Sequence, residues 1–197
     1  MKTVSRVYDT YHQARNAVAA IEIAGVPSGE ISLVANKYVS EKYAEVDDAS
    51  KAGTGAGIGG LVGGGAGLLA GLGMLAIPGL GPVVAVGWLA SLAVGAAAGA
   101  AAGGLVGALV SAGTSEDHAH VYSESVRRGG TLVSARVADK DATRIQGVLD
   151  RYEPIDPVER GVAYRKEGWT TFDPTAPPYR PSQSEIERMR RETDLAA

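Results

Sequence analysis

A long uncharged segment in the middle of the chain constrains the fold more than any other feature. No Asp, Glu, Lys or Arg occurs between Lys51 and Glu116 in a chain of 197 residues. The 19 basic and 22 acidic residues therefore all lie in the flanking sequence, where they give the charge density of a water-exposed surface. The sequence thus predicts two different environments within one chain.

This glycine-rich segment, residues 51–114, consists mainly of Gly and Ala and is interrupted once, at residues 77–82. The interruption predicts a turn formed by Pro78, Gly79, Gly81 and Pro82, because Pro and Gly end helices. The two flanking runs would be about 38 and 45 Å long as helices, and a bilayer core is ~30 Å thick. The segment is therefore predicted to form a hairpin of two transmembrane helices.

Glycines recur every four residues in both runs, which favours close helix packing. These glycines are Gly59, Gly63, Gly67, Gly71, Gly95, Gly99, Gly103 and Gly107. Such a stripe lets two helices approach closely, as in membrane helix pairs, so we predict a glycine zipper that also supports homo-oligomers. Glycines at ~1 kcal/mol each disfavour an isolated helix in water, which favours the membrane environment.

A second interpretation keeps the glycine-rich segment out of the membrane. The segment has few large aliphatic residues to favour insertion, so it could be a self-associating Gly/Ala hairpin in water or a disordered loop. Trp88 lies six residues after Pro82, and it fits either an interfacial anchor or ordinary helix packing. The sequence leaves both questions open.

Residues 1–50 predict a β-α-β unit followed by a linker. Residues 3–8 and 31–35 have the composition of strands. Between them, a helix capped by Asp9 or Thr10 ends at Gly25 and Pro27. Its apolar residues recur with helical spacing and predict its buried face: Ala14, Ala17, Val18 and Ile21.

Residues 115–160 predict the order α-β-α-β. A helix capped by Ser115 precedes a strand at residues 131–137, and a second helix at about 141–152 precedes a short strand at 154–156. The first strand alternates, with Leu132, Ser134 and Arg136 on one face and Val133, Ala135 and Val137 on the other. Joined to the first half, these elements predict an α+β domain of ferredoxin-like type, a split β-α-β sandwich that the hairpin interrupts.

Residues 161–197 predict a proline-containing tail with a short helix near its end, at residues 184–191. Its aromatic residues Trp169, Phe172 and Tyr179 would either dock onto a partner or fold back onto their own domain. Folding back is the favoured interpretation.

No sequence motif indicates catalysis or a bound cofactor. Gly55, Gly57 and Gly60 match G-x-G-x-x-G, but no strand directly precedes them and no acidic residue follows at the required distance. His118 and His120 are two residues apart and do not share a helix face. The chain has no cysteine, and its net charge of −3 does not predict nucleic-acid binding. We expect a non-enzymatic protein with no cofactor, no metal site and no identifiable small-molecule ligand.

Several segments resemble one bacterial protein family. They are Val-Tyr-Asp-Thr-Tyr at 7–11, Ala-Gly-Val-Pro at 24–27, Ile-Ser-Leu-Val-Ala at 31–35, the Ile-Pro-Gly-Leu-Gly-Pro turn at 77–82 and Arg-Arg-Gly-Gly-Thr-Leu-Val at 127–133. The chain is similar over about residues 3–160 to the general stress protein 17M-like family, which includes heat-induced and low-temperature-induced proteins. The resemblance implies stress-linked expression and a membrane location, with no catalytic residues to carry over.

These observations predict a membrane-associated stress-response protein whose hairpin contacts lipid in the bacterial inner membrane. An even number of spans would return the chain to its starting side, so both halves of the domain could meet in the cytoplasm. The N-terminus lacks the apolar stretch of a secretory signal. The alternative is a soluble, cytoplasmic ligand-binding or sensor module that self-assembles through the glycine-rich hairpin.

Overall fold

The computed structural model describes residues 1–36, 73–77, 80–89 and 104–176. Strands in these ranges are β1 (Lys2–Tyr8), β2 (Ile31–Asn36), β3 (Gly73–Ile77), β4 (Gly81–Val86) and β5 (Thr131–Val137). Helices in the same ranges are α1 (Tyr11–Ile23), α2 (Gly104–Ser111), α3 (Glu116–Arg127), α4 (Ala142–Asp150) and α5 (Pro157–Lys166). This mixture of helices and strands confirms the predicted α+β class.

The strands form one sheet in the order β1-β5-β2-β4-β3. All neighbouring strands are antiparallel. Because β1 and β2 both pair with β5, they run parallel to each other with β5 between them. Among the described strands, the last in the sequence therefore lies between the first two.

Helices α1 and α4 cover one face of the sheet, and the predicted residues make this contact. The four residues predicted to form the buried face of α1 are all buried, and Ile145 and Leu149 of α4 join the same core. Val133 and Ala135 of β5 face this core, whereas Leu132 faces the opposite one. Each fully buried Val, Leu or Ile side chain contributes about 1.5–3 kcal/mol, so these matched faces stabilise the sheet and its helices together.

Thr10, one of the two residues predicted to cap α1, precedes this helix and forms a complete capping box. The backbone N–H of Gln13 donates to the Thr10 hydroxyl at 3.2 Å, and the Thr10 N–H donates to Gln13 Oε1 at 3.2 Å. Ser115 occupies the equivalent position before α3, but its side chain makes no capping hydrogen bond. Only the first of the two predicted caps therefore satisfies free N–H groups of its helix.

The prediction of transmembrane helices is wrong where the structure describes the glycine-rich segment. Residues 73–77 and 81–86 are strands, paired so that Ile77 lies opposite Gly81. None of the described helices combines the length and the apolar character that a membrane crossing requires. The predicted membrane-associated function depended on that hairpin and is therefore wrong.

Pairing with β2 explains why this part is extended. Residues Val83 to Val86 of β4 lie opposite Asn36 to Leu33 of β2, and β-branched valines favour a pleated strand. Of the predicted turn residues, Gly81 and Pro82 lie in β4, while Pro78 and Gly79 lie outside the described residues. Of the predicted zipper glycines, Gly107 lies in α2, and the other seven lie outside the described residues.

Helix α5 replaces the irregular chain that was predicted to begin at residue 161. The Asp156 carboxylate accepts hydrogen bonds from the N–H groups of Val158 and Glu159, at 2.7 and 3.0 Å. Pro157 occupies the first turn, where its missing N–H is not needed. The predicted strand at 154–156 is not formed, but the N–H of Ile155 donates to the carbonyl of Val7 at 2.8 Å.

Candidate functional site

The chain after β4 crosses directly over β2. Gly87 has φ +88°, and a Cβ there would overlap the Ile31 carbonyl and lie 2.6 Å from Ser32 Oγ. The N–H of Leu89 then donates to Ser32 Oγ at 2.9 Å. The glycine-rich segment is thus held against the centre of the sheet by a backbone crossing that has no room for a side chain.

Trp88, the residue after Gly87, stabilises the same crossing through contacts with Glu30 and Arg136. Its indole N–H donates to the Glu30 carbonyl at 3.2 Å, and the Arg136 guanidinium lies 4.8 Å from the ring centroid. Arg136 also donates to the Glu30 carboxylate at 2.6 Å. The cation–π contact between the Arg136 guanidinium and the Trp88 ring contributes about 0.5–1 kcal/mol at an exposed site. Trp88 is therefore a packing residue of the domain, the second of its two sequence interpretations.

The β1 edge of the sheet is covered. Ile155 hydrogen-bonds to β1, as described above, and Arg6 on this strand pairs with Asp150 at 2.6 Å. Just beyond the strand, Asp9 pairs with Arg160 at 2.7 Å. Burial alone would lower the pKa of Arg160, but its hydrogen bond with Asp9 raises it above the ordinary value. Ion pairs and a paired backbone are the usual protection of an edge strand.

The β3 edge has a different character. Within the described residues β3 pairs only with β4, and its sequence, Gly-Met-Leu-Ala-Ile, carries no charge and no proline. An uncharged edge strand offers a row of N–H and C=O groups to another strand. The two ends of the sheet are therefore chemically unequal, and the end that has no second partner among the described residues belongs to the glycine-rich segment.

A buried carboxylate joins α3 to the chain beyond α5. Glu124 is buried and accepts from Arg127 at 2.5 Å and from Arg128 at 2.6 Å. Arg128 also bonds to Glu167 at 2.6 Å and lies 4.2 Å from the centroid of the Tyr164 ring. Burial alone would lower the pKa of Arg128, but the bonds to both carboxylates raise it. Glu124 thus holds both arginines at the end of α3, and Arg128 connects them to Glu167 and Tyr164, so this cluster is a structural clamp.

The aromatic residues of the predicted tail fold back onto the domain. Phe172 is buried in the core beneath α3, and Trp169 packs edge-on against Tyr164 with centroids 5.7 Å apart. Tyr179 lies outside the described residues. The two described aromatics therefore belong to the domain core and its surface, as the favoured interpretation expected.

His118 and His120 do not combine into a metal site. His120 Nδ1 lies 3.0 Å from Thr171 Oγ1, and its Nε2 lies 4.0 Å from a Glu116 oxygen. His118 instead contacts the ring of Tyr122. The part of the chain that the structure describes contains no group of three His, Asp or Glu side chains placed to hold a metal ion.

A groove of about 650 Å³ runs between α1 and the end of α4. Its lining is mostly small and apolar, with polar groups at Asn16, Arg151 and Tyr152; the other lining residues are Ala19, Ala20, Ile23, Ala24 and Val148. The sequence prediction for α1 concerned only its buried face and did not include this surface. The signal was present, since residues 16, 19, 20, 23 and 24 follow helical spacing.

Comparison with protein-family models, curated proteins and solved structures gives no match to this chain. The two surfaces described above, the β3 edge and the α1–α4 groove, are therefore the candidate sites of function.

Proposed function

We propose that the chain is a non-enzymatic sensor or ligand-binding module that self-assembles through its glycine-rich segment. The observation that carries this proposal is the contrast between the sheet edges. The β1 edge is covered by a hydrogen-bonded segment and ion pairs, whereas β3 pairs on one side only within the described residues. A strand added to β3 would extend the sheet from five strands to six or more.

The expected partner of β3 is the β3 strand of a second copy. Two identical strands that pair antiparallel form an isologous, closed contact, which is the commonest symmetry of soluble homo-oligomers. The absence of charge in residues 73–77 means that like charges do not oppose this pairing. Each new backbone hydrogen bond contributes about 0.5–1.5 kcal/mol, so a five-residue strand can support a specific but reversible contact.

Two finer assignments belong to the same proposal. The position of β5 between β1 and β2, with the Ile155 segment along β1, supports a ferredoxin-like arrangement to which β4 and β3 are added. The quoted segments at 7–11 and 127–133 support membership of the general stress protein 17M-like family. That membership would make the assembly part of a stress response.

The proposal is tested by a pair of proline substitutions in β3, Met74→Pro and Leu75→Pro. In an antiparallel strand, adjacent residues direct their N–H groups to opposite sides. One of these two N–H groups therefore points to β4 and the other to the open edge. We expect one variant to lose the oligomer while its circular dichroism spectrum and unfolding midpoint stay close to wild type, and the other to lose fold stability.

Sedimentation velocity of the full chain at micromolar concentration provides the measurement. The proposal requires that the wild-type chain sediments as a dimer or larger species. A wild-type monomer, or an oligomer that survives both proline substitutions, would show that β3 does not carry the assembly.

A further inference from the structure

We propose that the groove between α1 and α4 binds a small amphipathic anion, a molecule with an apolar body and one carboxylate. This inference rests on the ligand-binding part of the proposed function and specifies its ligand. The groove lies on α1 and α4, whereas assembly is assigned to β3. The proposal for ligand binding and the proposal for assembly can therefore fail independently.

Helix α1 is apolar on two sides, which first indicates a ligand. Its inner face is buried against the sheet, and its outer face carries Ala19, Ala20 and Ile23, which line the groove. Ile23 is 88% exposed. Helices that are apolar on one face turn the polar side outward, so an apolar outer face gains stability when something apolar covers it.

The shape of the groove fits a small molecule. Asn16, Ala20 and Ala24 follow one another at four-residue spacing, and their small side chains form a floor about 12 Å long. Val148 and Tyr152 are also four residues apart and line the α4 side. The volume of about 650 Å³ lies within the roughly 300–1,000 Å³ that small-molecule sites occupy.

The charge of the groove selects an anion. Arg151 is the only charged residue in the lining, and it forms no ion pair with any residue in the described ranges. The amide of Asn16 and the hydroxyl of Tyr152 likewise have no hydrogen-bond partner there. A guanidinium binds a carboxylate through two parallel hydrogen bonds. Arg151 beside the apolar floor of the groove therefore matches a ligand that has one carboxylate and an apolar chain.

The test titrates the full, ¹⁵N-labelled chain with sodium decanoate below its micelle concentration, with decanol as the neutral comparison. We expect decanoate to shift the amide resonances of Asn16, Ala20, Val148 and Arg151 in particular. Arg151→Glu should weaken binding about tenfold or more, because a charge-assisted hydrogen bond contributes about 1.5–3 kcal/mol. Arg165→Glu changes an exposed arginine on α5 and should leave binding unchanged.

A second variant, Ala20→Leu, fills the floor from a half-buried helix position that lines the groove and should abolish binding without changing the circular dichroism spectrum. Absent groove shifts, or equal binding by wild type and Arg151→Glu, would overturn the proposal. Loss of a wild-type oligomer in Ala20→Leu would also overturn it, because a second copy would then be the occupant. Decanoate binding that is retained in the β3 proline variants would show that ligand binding in the groove does not depend on assembly through β3.

Discussion

Gly87→Ala should destabilise the fold strongly, because two independent effects act at this position. Alanine in the left-handed region costs about 1–2 kcal/mol. In addition, its Cβ would overlap the Ile31 carbonyl and crowd Ser32, both part of a central strand that cannot move away. The crossing chain must therefore lift from the sheet.

Lifting this chain removes identifiable contacts. Two hydrogen bonds would break: the one from the N–H of Leu89 to Ser32 and the one from the Trp88 indole to the Glu30 carbonyl. Each loss would cost about 1 kcal/mol of stability. Added to the backbone term, the expected decrease in the free energy of unfolding is about 3–4 kcal/mol. A decrease of this size is a large fraction of the roughly 5–15 kcal/mol that stabilises a typical domain.

Alanine substitutions at two other glycines distinguish the cost of the left-handed backbone from the cost of the steric overlap. Gly25 also has a positive φ, +91°, but an added Cβ there would meet no atom within 4 Å. Gly25→Ala should therefore cost only the backbone term, about 1–2 kcal/mol. Gly29 also has open space around it, and its φ lies outside the left-handed region, so Gly29→Ala should be close to neutral.

Urea unfolding followed by circular dichroism would rank the three alanine variants by their midpoints. We expect the order Gly29→Ala, Gly25→Ala, Gly87→Ala from the most to the least stable. A midpoint for Gly87→Ala equal to that of Gly25→Ala would refute the close crossing over β2, because the steric term would then be absent.

Two further predictions concern buried polar groups. Glu124→Gln removes the charge that Arg127 and Arg128 surround and should lower the free energy of unfolding by about 3–5 kcal/mol; exposed Glu159→Gln should change it little, and equal effects would contradict the clamp. Burial raises the pKa of the Tyr8 hydroxyl above its ordinary value, so the unfolded chain releases this proton first and stability should fall as pH rises above about 10. Tyr8→Phe should flatten that fall in urea midpoints, and an unchanged slope would contradict the assignment.

The sequence predicted those elements whose buried face has a local period. In α1, the spacing of Ala14, Ala17, Val18 and Ile21 reflects one contact with the sheet, and the structure buries all four. In β5, alternation separates the two cores in the same way. Both patterns can be read without knowing the partner element.

The strands of the glycine-rich segment have no such period. Residues 83–86 are Val-Val-Ala-Val, an apolar run that suits a buried helix as well as a strand. Their strand conformation depends on pairing with β2, for example Ala85 with Val34, about 50 residues earlier in the chain. Sequence patterns within a short window do not contain that partner.

Helix α5 and the two candidate surfaces were missed for different reasons. Helix α5 had a readable signal, since Asp156 followed by Pro157 is a typical helix start. Recognition of β3 as the edge strand of the described sheet required the order of the strands, which depends on nonlocal pairing. The groove required the position of α4 beside α1, although Ile23 on the outer side of α1 indicated a second apolar face.

The position of β5 also has a consequence for synthesis of the chain. Strands β1 and β2 meet the same partner, β5, which ends 101 residues after β2 ends at residue 36 (137 − 36 = 101). At a translation rate of about 5–20 residues per second, β2 emerges about 5–20 s before the strand that joins it to β1, and β1 emerges earlier still. Strand β4 emerges earlier and occupies the other side of β2. The nascent chain can therefore form the β2-β4-β3 side of its sheet before β5 emerges, and the side that contains β1 only afterwards.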